Sequence, residues 1–182
     1  MQFLKIAITA EDFIEDEANL IMQVLDGGVD FVHIRKPNAT KKDILKLFAS
    51  IDQKYFSRLK LHDNFEILNE ICLGGVHLNS RNSIPPHNAL SVSKSLHSIE
   101  ELKECDKYDY VTLSPIFDSI SKTGYLSAFN LDSLKEKIKN KNVIALGGVT
   151  PERFDLLQAC GFAGGAMLGC VWGDVKKFCR QL

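Results

Sequence analysis

The feature that most limits what this chain can fold into is an alternation. Short apolar or β-branched runs recur at Leu4–Thr9, Phe31–Ile34, Leu59–Leu61, Gly75–Leu78, Ala89–Val92, Tyr110–Leu113, Val143–Leu146 and Ala163–Leu168. Their lengths suit strands buried on both faces, and they lack strict polar alternation. Stretches with helical spacing lie between most of them. In EDEANLIMQVLDGG, Ala18, Ile21, Met22 and Leu25 share one face and Gly27 ends the run. In TKKDILKLFASI, Thr40 is placed to cap a helix whose apolar side is Ile44, Leu47, Phe48 and Ile51. HSIEELKEC carries a capping-box pattern at Ser98 and Glu101. In TPERFDLLQACG, Thr150 caps, Pro151 takes the first helical position and Gly161 stops the helix.

Repetition of strand and helix predicts an α/β fold with a parallel sheet. Eight repeats predict a compact (β/α)8 TIM barrel, at about 22 residues per unit, in a single domain over residues 1–182. The fourth unit is expected to be shortened, because SRNSIPPHN (Ser80–Asn88) has two prolines and no helical period. The alternative, an open doubly wound sheet, lacks a glycine-rich fingerprint after the first strand.

Composition narrows the function classes. A net charge of -1 gives no global attraction to nucleic acid or to a membrane surface. No apolar window is long enough for a membrane span, and MQFLKIAITAEDF, with Lys5 inside its apolar run, does not read as a signal peptide. The five cysteines are scattered without a C-x-x-C pair, which predicts reduced, mostly buried thiols and a cytoplasmic location.

In a barrel of this kind the active site lies at the carboxyl ends of the strands. Polar groups gather there in nearly every unit: His33 and Arg35 after the second run, His62-Asp63-Asn64 after the third, His77 and Asn79 at the fourth, and Ser93 to Ser98 after the fifth. The loop LSPIFDSISKTGY, Leu113–Tyr125, follows the sixth run. Each residue alone has two readings. A histidine at a strand end is structural or catalytic; Asp63 is a metal contact or a helix cap; Gly147-Gly148 and Gly169 hold a phosphate or allow tight turns. Their recurrence at one end favours a site for an anionic, phosphorylated substrate, with Arg35 and Lys122 supplying charge.

The ordered set of these motifs resembles the thiamine phosphate synthase and thiazole tautomerase superfamily. GGVDFVHIRKP (Gly27–Pro37) is similar to its strand-two motif ending in Q-x-R-E-K, and LHDN (Leu61–Asn64) to its hydrophobic-x-D motif. GGVHLNSRN (Gly74–Asn82) resembles G-V-H-L-G-Q-x-D, and SLHS (Ser95–Ser98) resembles S-x-H-[ST]. LSPIFDSISKTGY resembles G-P-[IV]-[FY]-x-T-x-[ST]-K, and ALGGV (Ala145–Val149) resembles A-I-G-G-I.

The resemblance implies a small barrel that joins an aminopyrimidine pyrophosphate to a thiazole phosphate and releases pyrophosphate, with Mg²⁺ at Asp63 and Asn82. It implies catalytic positions at Arg35, Lys122, His97 and Ser95. It implies substrate or phosphate contacts at His33, Lys36, His62, Ser119, Ser121, Gly147, Gly148 and Gly169. The sequence departs from the motifs where His33 replaces glutamine, Pro37 replaces lysine with Lys36 one residue away, His62 replaces asparagine, Asn82 replaces a second metal aspartate, and Ser114 replaces glycine. Two other readings follow: a thiazole tautomerase with His97 as the base, and a non-catalytic relative that only binds a phosphorylated ligand. Exposed apolar positions on the helices leave room for a homodimer.

Overall fold

The computed structural model describes residues 2–118 and 129–182. Eight parallel strands close on themselves in chain order. They are β1 (Leu4–Ile8), β2 (Phe31–Ile34), β3 (Leu59–Leu61), β4 (Gly75–Leu78), β5 (Val92–Leu96), β6 (Tyr110–Leu113), β7 (Val143–Leu146) and β8 (Gly164–Met167). Closure is made by β1 against β8, with Leu4 opposite Gly164 and Ala7 opposite Met167. Among the described residues five α-helices lie between or after the strands: α1 (Glu17–Asp26), α2 (Lys41–Ala49), α3 (Leu131–Ile138), α4 (Phe154–Ala159) and α5 (Val175–Cys179). Shorter 3-10 segments stand in place of full helices after β3 and β5, and another follows α2. No helix joins β4 to β5, as the prolines of that segment predict.

Local signals explain most of these elements. Thr40 caps α2 with a reciprocal box to Asp43. Ser98 does not cap the segment after β5; Ile99 takes that place without a side-chain bond, and the Glu101 carboxylate accepts from the backbone N–H of His97 and Ser98. The fifth strand is a correction. It is Val92–Leu96, not Ala89–Val92, because its inward positions are Ser93 and Ser95 rather than apolar residues. An apolar-run reading misses a strand whose inner face meets a polar interior.

That interior is divided. Ile6, Ile8, Ile144 and Ala166 fill it on the β7, β8 and β1 side. On the β2 to β5 side it holds His33, Lys60, His77 and Ser93, all buried. The larger apolar core lies outside the sheet, where Val32, Ile34, Leu59, Leu61, Val111 and Leu113 meet the helices. All five cysteines are free; Cys105 and Cys160 are buried, whereas Cys72 is exposed. Among the described residues no helix is long and apolar enough to cross a membrane.

Lys36 leaves the end of β2 and reaches into the β1–α1 loop and the start of α1. Its Nζ donates to Ala10 O at 2.9 Å, Asp12 O at 2.7 Å and Glu17 Oε1 at 2.7 Å. The two side chains are 0% and 2% exposed. An ammonium has three hydrogens, and all three are used. This corrects the expectation of a phosphate contact at Lys36: the residue fastens the β1–α1 loop instead. Burial pushes the Glu17 carboxyl above its ordinary value, against the pull of Lys36. Removing one partner would leave the other charge buried and unpaired. Lys36→Ala is therefore expected to cost about 3–5 kcal/mol of folding stability in urea unfolding. Lys36→Met combined with Glu17→Leu should recover most of that loss. A single-variant loss below about 1 kcal/mol, the range of exposed pairs, would mean the pair is solvated.

Candidate active site

Three imidazoles occupy the polar side of the barrel beneath its mouth. His33 comes from β2, His62 from just after β3 and His77 from β4, and all three are buried. His33 Nδ1 lies 2.9 Å from His62 Nε2, and its Nε2 lies 2.6 Å from Tyr110 Oη. The rings of His62 and His77 stack with centroids 4.4 Å apart. Ser93 donates its hydroxyl proton to Val76 O, so its oxygen accepts from His77 Nδ1–H at 2.9 Å. His77 Nε2 then accepts from the Ser95 hydroxyl at 2.8 Å.

Every member of this set is held neutral. Burial drives His33 and His62 well below the ordinary histidine value and His77 down to about 3. Lys60, buried beneath them with Nζ 4.4 Å from the Tyr110 ring centroid, is lowered by burial to about 8. Its charge also opposes protonation of His33 and His77. The three histidines bring ligand atoms within 4.8 Å of one another, a spacing open to a transition metal. Both nitrogens of His33 and both of His77 are already in hydrogen bonds, so the set stands as a hydrogen-bonded network. For His33 this leaves neither ring nitrogen open to a phosphate oxygen.

The rim above carries charge. Arg35 donates from Nη1 to Glu11 Oε1 at 2.8 Å. Asp63 and Asn82 are brought together from β3 and the β4–β5 loop, as the motif order implies. Asn82 Nδ2 donates to Asp63 Oδ1 at 2.8 Å and to His62 O at 3.2 Å. Arg81 Nη2 lies 3.1 Å from Asp63 Oδ1 and 3.3 Å from Oδ2, and its Nε lies 3.4 Å from Oδ1. Asn79 builds this loop. Its Oδ1 accepts from the backbone N–H of Arg81 and Asn82, and its Nδ2 donates to His62 O. Arg35 and Arg81 both stand close enough to His62 for their charge to disfavour its protonation. Sequence reasoning placed Asn79 at the end of the fourth run without giving it a role, and it missed Arg81. The available signal was a basic residue directly before the position of the absent second carboxylate.

A magnesium ion was expected between Asp63 and Asn82, and the donor set does not fit it. Mg²⁺ takes oxygen ligands around one or two carboxylates. Here both Asp63 oxygens accept from nitrogen donors, and Asn82 presents its amino group to Asp63.

Next round the mouth, at the end of β5, Ser95 is tied to His77, and the exposed His97 has Nδ1 3.3 Å from Ser114 Oγ. The loop after β6 lies along the end of β7, with Ile116 N–H on Leu146 O and Phe117 N–H on Gly147 O. This close passage requires the glycine pair. Gly147 and Gly148 have φ of 94° and 61°, and a Cβ on Gly148 would stand 2.3 Å from Asp118 O. Gly169 sits exposed in the turn after β8. Ser119, Ser121 and Lys122 lie outside the described residues.

The sequence matches the thiamine monophosphate synthase family over residues 6–171. The chain belongs to that family. It is 29% identical over 175 residues to the thiamine-phosphate synthase of Methanobrevibacter smithii, covering 86% of this chain and 82% of that one. It is 24% identical over 195 residues to the thiamine-phosphate synthase of Pyrococcus abyssi, covering 98% and 93%. The crystal structure of thiamine phosphate pyrophosphorylase from Bacteroides thetaiotaomicron superposes with a TM-score of 0.81 at 30% identity, over 98% of this chain and 93% of that one. The Pyrococcus furiosus thiamine phosphate pyrophosphorylase, at 20% identity and a TM-score of 0.79 over 98% and 93%, shares the fold.

The neutral histidines of this family member make its stability depend on pH. Their folded-state pKa values lie below those of the unfolded chain, so the unfolded state binds more protons as pH falls below about 6.5. Stability is full above that value and is lost below it, by up to about 1.4 kcal/mol per pH unit for each histidine. Urea unfolding at pH 7.5, 6.5 and 5.5 should show this fall, and His33→Gln should make it shallower. A stability that is flat across this range would mean the imidazoles are not buried neutral.

Proposed function

We propose that the chain acts as a thiamine-phosphate synthase, joining an aminopyrimidine pyrophosphate to a thiazole phosphate and releasing pyrophosphate. Membership of the family carries this reading, since the matched curated relatives are thiamine-phosphate synthases. The chemistry asks for a preorganised cationic rim around a leaving anion. The methylene carbon–oxygen bond breaks with its electron pair going to pyrophosphate, and the thiazole nitrogen then forms the carbon–nitrogen bond. In this reading Arg35 and Lys122 hold the pyrophosphate oxygens, and Ser119 and Ser121 donate to them. Ser95, oriented by His77, faces the pyrimidine side. Gly147, Gly148 and Gly169 form the thiazole phosphate end, where backbone N–H groups approach most closely. His62 supports the rim from below through its carbonyl, which accepts from Asn79 and Asn82. The reading places the enzyme in the cytoplasm, as one barrel domain acting on small phosphorylated substrates, with a homodimer as its assembly.

A second reading rests on His97, exposed at the mouth with Ser114 on its Nδ1. An exposed imidazole at this place can take and return a proton, which is what a thiazole tautomerase needs.

Incubation with both substrates, following thiamine phosphate, separates the two. Product formation supports the synthase; aromatisation of the thiazole precursor without coupling supports the tautomerase, and His97→Ala should then abolish it. Under the synthase reading Lys122→Ala should lower kcat by about 100-fold, the scale of a lost transition-state donor, while changing thiazole affinity little. Equal losses in both would reduce Lys122 to a binding contact.

A further inference from the structure

The misfit of Asp63 and Asn82 to a magnesium ion has a counterpart one residue away. We infer that Arg81 is the resident cation of the pyrophosphate subsite, a built-in guanidinium that takes over at Asp63 the charge a divalent ion would supply. The inference rests on the synthase reading and adds a catalytic residue to it.

Charge balance is the first argument. Two carboxylates and a dication sum to zero. One carboxylate, one amide and one guanidinium also sum to zero. The exchange of aspartate for Asn82 and of an ion for Arg81 therefore leaves the rim at the same net charge. An amide at position 82 with a bound dication would leave the rim more positive above buried Lys60. The neutral imidazoles of His33, His62 and His77 add no charge of their own.

Geometry is the second argument. Arg81 places Nε and Nη2 on the Asp63 carboxylate, whose side chain is only 12% exposed. Its own side chain is 47% exposed. Among the described residues Nη1 makes no hydrogen bond, so the outer edge of the guanidinium has donors to offer. The Asn79 amide fixes the backbone at Arg81 and Asn82 and is itself tied to His62 O, so the cation is held on the barrel rather than carried on a slack loop. Asp63 acts as a positioning residue that orients the planar fork toward phosphate oxygens.

In the coupling step Arg81 stays protonated throughout. The carbon–oxygen bond breaks, both electrons leave with the pyrophosphate oxygen, and the guanidinium N–H groups meet the growing negative charge. The thiazole nitrogen supplies the electron pair for the new bond, so no redox partner is needed.

The test uses the full chain and two independent readouts. The first is turnover with and without chelator. Wild type should keep its rate within about twofold in excess EDTA, whereas Arg81→Ala should lose about 100-fold, the scale of a removed anion-stabilising donor. Arg81→Lys should recover part of that loss. Arg81→Ala with Asn82→Asp, which rebuilds the second carboxylate, should recover turnover only with Mg²⁺ and should gain Mn²⁺ binding by electron paramagnetic resonance. The second readout is calorimetric binding of inorganic pyrophosphate in EDTA, which needs no turnover; Arg81→Ala should weaken it at least tenfold. If wild type makes no thiamine phosphate but shows this pyrophosphate difference, the synthase reading fails and the Arg81 subsite stands. Loss of wild-type turnover in chelator, or unchanged pyrophosphate binding in Arg81→Ala, overturns the inference.

Discussion

The constraint on which the rest of the structure depends is that half of the barrel interior is polar and must satisfy itself. A buried polar group without a partner costs more than its hydrogen bond contributes. The chain from Tyr110 through His33 to His62, and the parallel set of Ser93, His77 and Ser95, meets that demand with groups from five strands or their ends, and the Thr112 hydroxyl on β6 is the buried exception left without a partner among the described residues. Each bond requires its strand in one register, because a one-residue slip would turn the side chain out to the helices. The network therefore fixes the relative heights of β2 to β6, and with them the rim. His62 is the hinge between the two levels: its ring belongs to the interior, and its carbonyl carries Asn79 and Asn82.

A second economy of charge surrounds that network. Lys36 and Glu17 form a closed pair outside the barrel, whereas Arg35–Glu11 and Arg81–Asp63 form open pairs at the mouth. Exposed ion pairs contribute little to stability, so under the proposed function the value of the open ones lies in holding cations where an anion would arrive. The buried pair does the opposite: it removes a lysine from the mouth and anchors the β1–α1 loop. The departures from the family motifs thus behave as a set. A lysine is withdrawn, a carboxylate becomes an amide, and an arginine stands beside it.

Much of this was legible in the residues. The eight-unit barrel followed from strand-length runs separated by helical spacing, and the prolines at 85 and 86 announced the missing fourth helix. Asp63 and Asn82 were paired in advance by motif order, and the structure brings them to 2.8 Å. Ser93 and Ser95 were harder, because a strand facing a polar interior carries none of the apolar run that identifies a buried strand. Lys36 was read by its distance along the chain from a motif position, although a long flexible stem reaches whichever acceptor the fold places nearby. Arg81 passed unnoticed because an arginine in a polar loop looks the same whether it meets water or a carboxylate from another strand.

The sequence by itself determined the alternation of elements, the closure into a parallel barrel and the end of the barrel at which chemistry collects, because these follow from periodicity and from strand direction along the chain. Only the tertiary structure decided which charges pair and which histidines stay neutral. Those outcomes depend on distances between residues remote in sequence and on the loss of water around them. The same arginine, lysine or imidazole can be a surface group, a strut or a catalyst until its neighbours are known.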